Sequence, residues 1–231
     1  MAGPDPDPDP APDARRPARL RKVPPAGWTA LAASAAFALL AVWVTLAPAG
    51  PLPWDSGPHA WALGHRPPVA LSVARAVTDT GTGAVPYALA VLAGLYAGRT
   101  ARQRLTAVAA FVLCLTAGLT VRRGVMYLLA RPRPPAADWA VHATDWAFPS
   151  GHATAGALTA GILLAALRLR GSGRPPRAAV ALVVLWGAAV GLSRVYLGVH
   201  WPSDVVGGWL FATSWLALGA LAYGLGAATR D

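Results

Sequence analysis

Long apolar stretches alternate with short polar segments along the chain. Crossing a hydrocarbon core of ~30 Å takes about 20 helical residues. Five stretches have about that length and a sixth is shorter; they cover residues 28–47, 106–129, 152–170, 178–197 and 205–226, with the shorter one at 83–98. The pattern predicts an all-α polytopic membrane protein, built as a bundle of six transmembrane helices.

The polar segments divide the chain into three parts. Residues 1–27 contain an Asp-Pro repeat, which cannot form a helix, and we expect a disordered cytoplasmic tail there. Residues 28–226 form the predicted six-helix membrane domain, and residues 227–231 form a cytoplasmic C-terminal end. Within the domain, residues 51–82 mix Pro, Gly, Asp and Trp, which predicts a surface segment with a short interfacial helix near 69–78.

Composition agrees with a membrane protein and narrows its partners. Of the 231 residues, 55% are hydrophobic and 13% are charged, whereas about a quarter are charged in a typical soluble domain. The formal net charge is +10, and the basic residues cluster between apolar runs, which favours contact with anionic lipid over binding to nucleic acid. We therefore expect the bilayer as a partner and no nucleic acid. The single cysteine, Cys114, excludes an intrachain disulfide and a thiolate metal site.

The distribution of positive charge predicts the orientation. Thirteen Lys and Arg residues lie in the tail, in segments 99–104 and 168–177 and at Arg230, while seven lie on the opposite face of a six-helix bundle. Cytoplasmic loops carry the excess of Lys and Arg, so we expect both termini in the cytoplasm and the protein in the cell membrane. Segments 130–150 and 197–204, which carry the histidine motifs described next, would then face outward.

The first candidate motif is Pro149-Ser150-Gly151-His152, at the start of a predicted span. Ser150 occupies the position of a helix N-cap, so the free amides of the first turn point outward and favour an anion. Gly151 has no Cβ and lets a ligand approach the backbone. His152 would lie beside the same anion. An interfacial histidine near a helix cap is the alternative without a ligand.

The second candidate motif runs from Ser193 to Asp204 and includes Arg194 and His200. His200 and Asp204 are four residues apart and share one face if the segment is helical. Asp204 can then accept the Nδ1 hydrogen of His200, which leaves Nε2 as a base or nucleophile. The guanidinium of Arg194 suits phosphate oxygens. A structural Arg–Asp pair at the membrane boundary is the alternative.

The third candidate motif is Arg131-Pro132-Arg133-Pro134. Each proline fixes its own φ and moves the preceding residue away from helix, so the segment is expected to be stiff and extended. We expect both guanidiniums at the outer surface, facing an anion. A plain basic linker is the alternative reading of the segment on its own.

Together the three motifs resemble those of the type 2 phosphatidic acid phosphatase (PAP2) superfamily, which has Lys-x6-Arg-Pro, Pro-Ser-Gly-His and Ser-Arg-x5-His-x3-Asp motifs. The second and third match at every position, and the resemblance implies a PAP2/haloperoxidase-like core. The first departs: the lysine position holds Met126 if the motif ends at Arg133, or Gly124 if it ends at Arg131. We expect Arg123, one helical turn away, to replace the lysine, with Arg122 as the alternative.

The resemblance implies a lipid phosphatase that works through a phosphohistidine. His200 would attack phosphorus, His152 would protonate the leaving group, and Asp204 would orient His200. No cofactor and no metal are expected. Phosphate binding is assigned by the resemblance to Arg133, Arg194, Ser150 and Gly151, with Arg123 in place of the lysine.

The substrate class and two rival functions remain open from the sequence. A lipid phosphate is expected: phosphatidic acid, phosphatidylglycerol phosphate or a polyprenyl diphosphate. One rival is a protein of the same fold that binds or transports such a lipid without cleaving it. The other is a metal site formed by His152, His200 and Asp204, although arginines and a Pro-Ser-Gly context have no role in such a site. The sequence specifies no oligomeric state.

Overall fold

The computed structural model describes residues 3, 24–47, 50–171 and 174–228. Within these ranges the chain folds into eight α-helices and one short 3-10 helix at Ala136–Asp138. The α-helices are α1 (Pro25–Leu46), α2 (Ser56–Gly64), α3 (Pro68–Asp79), α4 (Ala84–Ala97), α5 (Ala101–Leu129), α6 (Gly151–Arg170), α7 (Arg177–Tyr196) and α8 (Pro202–Ala228). Most of the predicted tail and residues 229–231 of the predicted C-terminal end lie outside the described residues.

The prediction of an all-α polytopic membrane protein is confirmed. Five helices, α1, α5, α6, α7 and α8, are long and apolar enough to cross a membrane. Helices α3 and α4 meet at a bend of 53° and make a sixth span only when taken together. Helix α4 matches the predicted short stretch, and α3 covers the predicted interfacial helix. The six predicted spans therefore correspond to five continuous helices and one bent pair.

Local sequence signals determine where helix α5 begins and where it ends. A capping box starts it: the Gln103 amide donates to Thr100 Oγ1 at 3.2 Å, and the Thr100 amide donates to Gln103 Oε1 at 3.2 Å. It ends at Ala130, which adopts a left-handed conformation with φ 45°. The prolines at 132 and 134 then prevent further helix, so residues 130–150 form a loop over the end of the bundle.

The bundle is organised around α6, which packs against α4, α7 and α8 as well as α5. The largest core cluster combines small and branched side chains; it contains Ala90, Ala93, Ala97, Leu115, Leu158, Ile162, Ala166 and Ala212. Helices α1 and α8 pack side by side, and Phe148 of the 130–150 loop inserts between them and stacks on Phe37 at a centroid distance of 5.8 Å. The loop is thus tied to the bundle by apolar contacts.

Helices α6 and α7 approach each other closely through small residues. A Cβ on Gly187 would lie 3.1 Å from the Ala160 Cβ and 3.2 Å from the Gly156 carbonyl oxygen. Such small-residue contacts are the usual way in which transmembrane helices pack tightly. Because α6 and α7 are antiparallel, the contact brings the start of α6 and the end of α7 to the same end of the bundle.

This contact predicts the effect of a larger residue at Gly187. Gly187→Val places three methyl-sized groups against Gly156 and Ala160, and overpacking of this kind costs about 1–3 kcal/mol. We expect a lower melting temperature in detergent, measured by size-exclusion chromatography after heating. Gly219→Val is the matched control, because a Cβ there meets nothing within 4 Å. Equal melting temperatures for the two variants would contradict the close contact.

Candidate active site

Polar side chains are buried where the loop of residues 130–150, the α7–α8 loop and the start of α6 meet. His200 is 1% exposed, Arg194 is 5% exposed and Asp204 is fully buried. Charged and polar groups are expensive in such a position unless they are paired or serve a function. The location therefore defines a candidate site, at one end of the bundle.

His200 lies in the short loop before α8, and its ring is held from both sides. Nδ1 is 3.3 Å from Asp204 Oδ2, and Nε2 is 2.9 Å from Nη1 of Arg133. A carboxylate only accepts and a guanidinium only donates, so the proton belongs on Nδ1 and the lone pair on Nε2. Asp204 also accepts the Trp201 amide at 2.9 Å. The pairing therefore comes from a capped turn, since His200 itself precedes the helix.

The surroundings of His200 favour its neutral form. Burial lowers the pKa of this imidazole well below its usual value, and the positive charges of Arg133, Arg194 and Arg122 lower the pKa further. A buried neutral ring can act as a nucleophile at neutral pH once an anion takes over the hydrogen bond that Arg133 gives to Nε2.

Arg133 is held beside His200 by backbone carbonyl oxygens. Its guanidinium donates to Val199 O at 2.8 Å, Thr144 O at 2.7 Å and Asp145 O at 3.0 Å. Burial lowers the pKa of Arg133, and the carboxylates of Asp204 and Asp145 oppose that effect. Carbonyls fix the orientation of the group without neutralising its charge, so the charge remains available to an anion.

Two more guanidiniums reach the site from the helices. Arg194 of α7 donates to Thr78 Oγ1 at 3.1 Å, while its buried Nε has no partner among the described residues. Arg122 of α5 donates from Nε to the Pro149 carbonyl at 2.7 Å, and its Nη1 lies 3.0 Å from the point where a Cβ on Gly151 would be. A side chain larger than that of glycine would displace this guanidinium.

The Pro-Ser-Gly-His motif lies against these arginines. His152 is half-buried in the first turn of α6, and its charged neighbours include Arg194, Arg122 and Arg133, with His200 also close by. Ser150 is buried and caps α6, with its Oγ 3.5 Å from the Ala153 amide. The Ser150 amide donates to the Asp204 carbonyl at 3.0 Å, which joins the two histidine motifs directly.

The structure corrects two expectations about the arginines. Arg131 does not face outward: it is 4% exposed and donates to Asp204 Oδ1 at 2.5 Å. The side chain of Arg123 is 64% exposed and lies 3.9 Å from Asp145, on the outside of the bundle. Residues 122 and 123 point about 100° apart on a helix, and it is Arg122 whose guanidinium lies against Pro149 and Gly151 at the site.

Sequence reasoning missed three polar residues that contact the site: Asp55, Thr78 and Ser203. Asp55 is fully buried, and its carboxylate pairs with Arg131 at 2.9 Å. Asp55 is the only acidic residue between positions 14 and 78, but it falls in the segment 51–82 that the sequence predicts to lie at the surface, where a carboxylate is ordinary. Thr78 and Ser203 carry no signal in the sequence either.

The rival metal site does not appear in the described part of the chain, where no group of three His, Cys, Asp or Glu side chains could hold an ion. Both oxygens of Asp204 already accept hydrogen bonds. What the site does offer is three guanidiniums, Arg122, Arg133 and Arg194, and a helix N-terminus around two imidazoles. This combination suits a tetrahedral oxyanion such as a phosphate group.

Solved structures share this fold. One is the crystal structure of a transmembrane PAP2-type phosphatidylglycerolphosphate phosphatase from Bacillus subtilis, with a TM-score of 0.68 and 23% identity, covering 85% of this chain and 96% of that one. Another is Aquifex aeolicus LpxE, with a TM-score of 0.59 and 19% identity, covering 74% and 96% respectively. At these identities the likeness shows the fold of a membrane PAP2 protein.

The sequence itself establishes the family. A sequence model of the PAP2 superfamily matches residues 107–225, more than half of the chain, and the match includes both histidine motifs. The chain belongs to the PAP2 superfamily, as the motifs predicted, and it is a multi-pass membrane protein.

Relatives with assigned activities act on polyprenyl lipids, by their names. The chain is 34% identical over 127 residues to an undecaprenyl-diphosphatase of Sulfolobus acidocaldarius, covering 52% of this chain and 54% of that protein. It is 34% identical over 127 residues to undecaprenyl-diphosphatase BcrC of Bacillus subtilis, covering 53% and 60%. It is 36% identical over 150 residues to decaprenylphosphoryl-5-phosphoribose phosphatase of Mycolicibacterium smegmatis, covering 64% and 75%. The match thus spans little more than half the length of the first two.

The positions of Arg122 and Arg123 predict different effects of their removal on oxyanion binding. Arg122→Ala deletes a buried guanidinium, and losing a charge-assisted hydrogen bond of about 1.5–3 kcal/mol should weaken orthovanadate binding at least about tenfold. Arg123→Ala, the matched control, should change it less than about twofold, since exposed pairs contribute little. Isothermal titration of the purified variants measures both. Equal weakening by the two substitutions would contradict the assignment of Arg122.

Proposed function

We propose that the protein is an integral membrane lipid phosphatase that hydrolyses a phosphomonoester or diphosphate lipid. The observation that carries the proposal is the His200 ring, whose Nδ1 is held by Asp204 while Nε2 contacts the guanidinium of Arg133, with the charges of Arg194 and Arg122 also close to the ring. A polyprenyl-linked phosphate or diphosphate is the substrate class that the names of the relatives favour. Phosphatidic acid and phosphatidylglycerol phosphate are the other candidates.

The proposed reaction has two steps. In the first, His200 Nε2 attacks phosphorus, the bond from phosphorus to the leaving oxygen breaks, and protonated His152 gives that oxygen its proton. In the second, neutral His152 takes a proton from water as the water attacks the phosphohistidine, which releases phosphate and restores both rings. Arg122, Arg133 and Arg194 stabilise the charge on the phosphoryl oxygens in both steps. These residues need no metal for this stabilisation.

Two side chains have supporting roles in the proposed reaction. Asp204 accepts the Nδ1 hydrogen and stabilises the positive ring of the phosphohistidine. Arg133 donates to Nε2 before substrate binds, so it transfers this hydrogen bond to a phosphoryl oxygen when the substrate arrives. Ser150 and Gly151 contribute the capped first turn of α6, whose free amides face the oxyanion.

The proposed orientation places the site at the extracytoplasmic face of the cell membrane, with both termini in the cytoplasm. The excess of positive residues in segments 99–104 and 168–177 supports it. Both segments lie at the end of the bundle opposite to His200, because each connects the far ends of the helices that lead to the site. A phosphate at headgroup depth would then meet the site while its chain stays in the bilayer.

A substrate panel with a nucleophile variant tests the proposal. Purified protein in detergent micelles is given undecaprenyl diphosphate, phosphatidylglycerol phosphate and phosphatidic acid, and released phosphate is measured with and without a chelator. We expect turnover that persists in chelator, fastest with the polyprenyl lipid. His200→Ala should lower it at least about 10⁴-fold, since no nucleophile remains.

His142→Ala is the matched control for His200→Ala, because His142 is an exposed histidine of the outer loop, and it should keep normal turnover. Undiminished turnover in His200→Ala would disprove the phosphohistidine. Tight binding of the lipids without turnover by the unchanged protein would favour the rival lipid-binding function.

The pH dependence follows from the environment of His200. Its pKa is lowered in the folded protein, so the neutral, reactive ring persists below the usual histidine value of 6.5 and is lost only as the pH falls through the lowered pKa. We expect a profile of kcat/KM whose acid limb, where His200 becomes protonated, lies below pH 6.5. Circular dichroism at each pH shows that the protein is folded. An acid limb centred at or above pH 6.5 would contradict the neutral His200.

A further inference from the structure

A buried cluster of charges lies on the Nδ1 side of His200, whereas Arg133 contacts Nε2. Arg131 is at its centre: Nη1 donates to Asp204 Oδ1 at 2.5 Å, and Nη2 donates to Asp55 Oδ2 at 2.9 Å. All three residues are buried, with Asp55 and Asp204 fully inaccessible. A single guanidinium is therefore shared between two carboxylates, and one of these holds the imidazole of His200.

Hydrogen bonds from Ser203, at the start of α8, and from Leu52 fix the carboxylate of Asp55 in its position. Its Oδ1 accepts the Ser203 amide at 2.8 Å, and its Oδ2 accepts the Ser203 hydroxyl at 2.6 Å and the Leu52 amide at 2.8 Å. Ser203 is the residue directly before Asp204. Asp55 thus contacts both the guanidinium that binds Asp204 and the backbone that carries Asp204, although it is distant in sequence.

The charges of the cluster do not cancel. Two carboxylates and one guanidinium leave a formal charge of minus one while His200 is neutral. If Asp55 were absent, Arg131 alone would neutralise Asp204. In the proposed reaction the ring of His200 becomes positive when it carries the phosphoryl group, and the positive charges of Arg122, Arg133 and Arg194 oppose that charge. Asp204 is the carboxylate that contacts the ring, and the surplus negative charge of the cluster supports the positive ring from that side.

We propose that Asp55 is a positioning residue that balances Arg131, so that Asp204 keeps a full negative charge for the phosphorylated His200. This inference rests on the proposed phosphatase function. Asp55 touches neither substrate nor His200 and acts through Arg131 and Ser203. Its role would be specific to the step in which the ring gains charge, so kcat should depend on it more than KM.

The charge balance can be tested with three variants. Asp55→Asn keeps the shape and sets the cluster to zero charge. Asp55→Asn combined with Arg131→Gln restores the formal charge of the cluster to minus one, although the double variant removes more native hydrogen bonds than the single one. Asp138→Asn is the matched control. Asp138 also pairs with a buried partner, His59, at 2.9 Å, but it makes no hydrogen bond to Asp55, Arg131 or Asp204. Steady-state kinetics on the best lipid substrate and the pH profile of kcat/KM are measured for each.

We expect kcat and the position of the acid limb to change with the formal charge of the cluster. Asp55→Asn should lower kcat at least about tenfold with KM nearly unchanged, corresponding to about 1.4 kcal/mol. It should move the acid limb to lower pH, because less negative charge near His200 disfavours its protonated form. The groups that face His200, namely Arg133, Arg194, Arg122, His152 and Asp204, are the same in every variant. The double variant should recover much of kcat and return the acid limb to its original position.

Several outcomes would overturn the inference. They are an acid limb that does not move in Asp55→Asn, a loss of kcat equal to that of Asp138→Asn, or a double variant that is slower than Asp55→Asn. If Asp55→Asn does not fold, the double variant decides alone, since it must keep the original acid limb. Absence of turnover in the unchanged protein would instead refute the phosphatase function itself, which separates the two failures.

Discussion

The carboxylate of Asp204 is the interaction on which the candidate site depends. Its two carboxylate oxygens accept hydrogen bonds from the ring of His200, the amide of Trp201 and the guanidinium of Arg131. Its backbone carbonyl oxygen accepts a hydrogen bond from the amide of Ser150. One residue therefore joins the nucleophile candidate, the loop from α5 and the first turn of α6. A buried carboxylate is stable only when its acceptors are occupied, so these contacts depend on one another. Loss of any single donor would leave part of this buried charge unpaired.

The bundle determines where this group of contacts can form. Antiparallel α6 and α7 pack closely through Gly156 and Gly187, so their ends at Ser150 and Arg194 meet at one level. The loop after α5 is stiffened by its prolines and anchored by Phe148, and it carries Arg131 inward and Arg133 toward His200. The long spans thus provide a rigid frame, while the polar chemistry is confined to the loops and the first helical turns. Packing and hydrogen bonds of this kind hold the side chains of a site in a fixed geometry.

The sequence was sufficient for the features that depend on local pattern. Span positions follow from apolar length, and each predicted boundary lies within five residues of the helix found. His152, His200 and Asp204 were identified because short motifs specify them. The arginines were harder: neighbouring residues such as Arg122 and Arg123 diverge by about 100° around a helix, so tertiary packing alone decides which one turns inward. Tertiary packing likewise decides that Arg131 is buried against Asp204 while Arg133 contacts His200. Asp55 and Ser203 are 148 positions apart in the sequence, so no local pattern indicates their contact.

The hydrogen bond from Arg133 to Nε2 of His200 has a consequence for selectivity. This hydrogen bond occupies the lone pair that would attack phosphorus, and the cation that makes it repels metal ions and positively charged reagents. A neutral ester offers the guanidinium only a carbonyl oxygen, which is a weaker acceptor than a charged oxygen. The oxygens of an anionic headgroup compete more strongly for the same donor and would expose the lone pair as they bind. The site would therefore react preferentially with anionic headgroups over the uncharged esters that surround it in the bilayer.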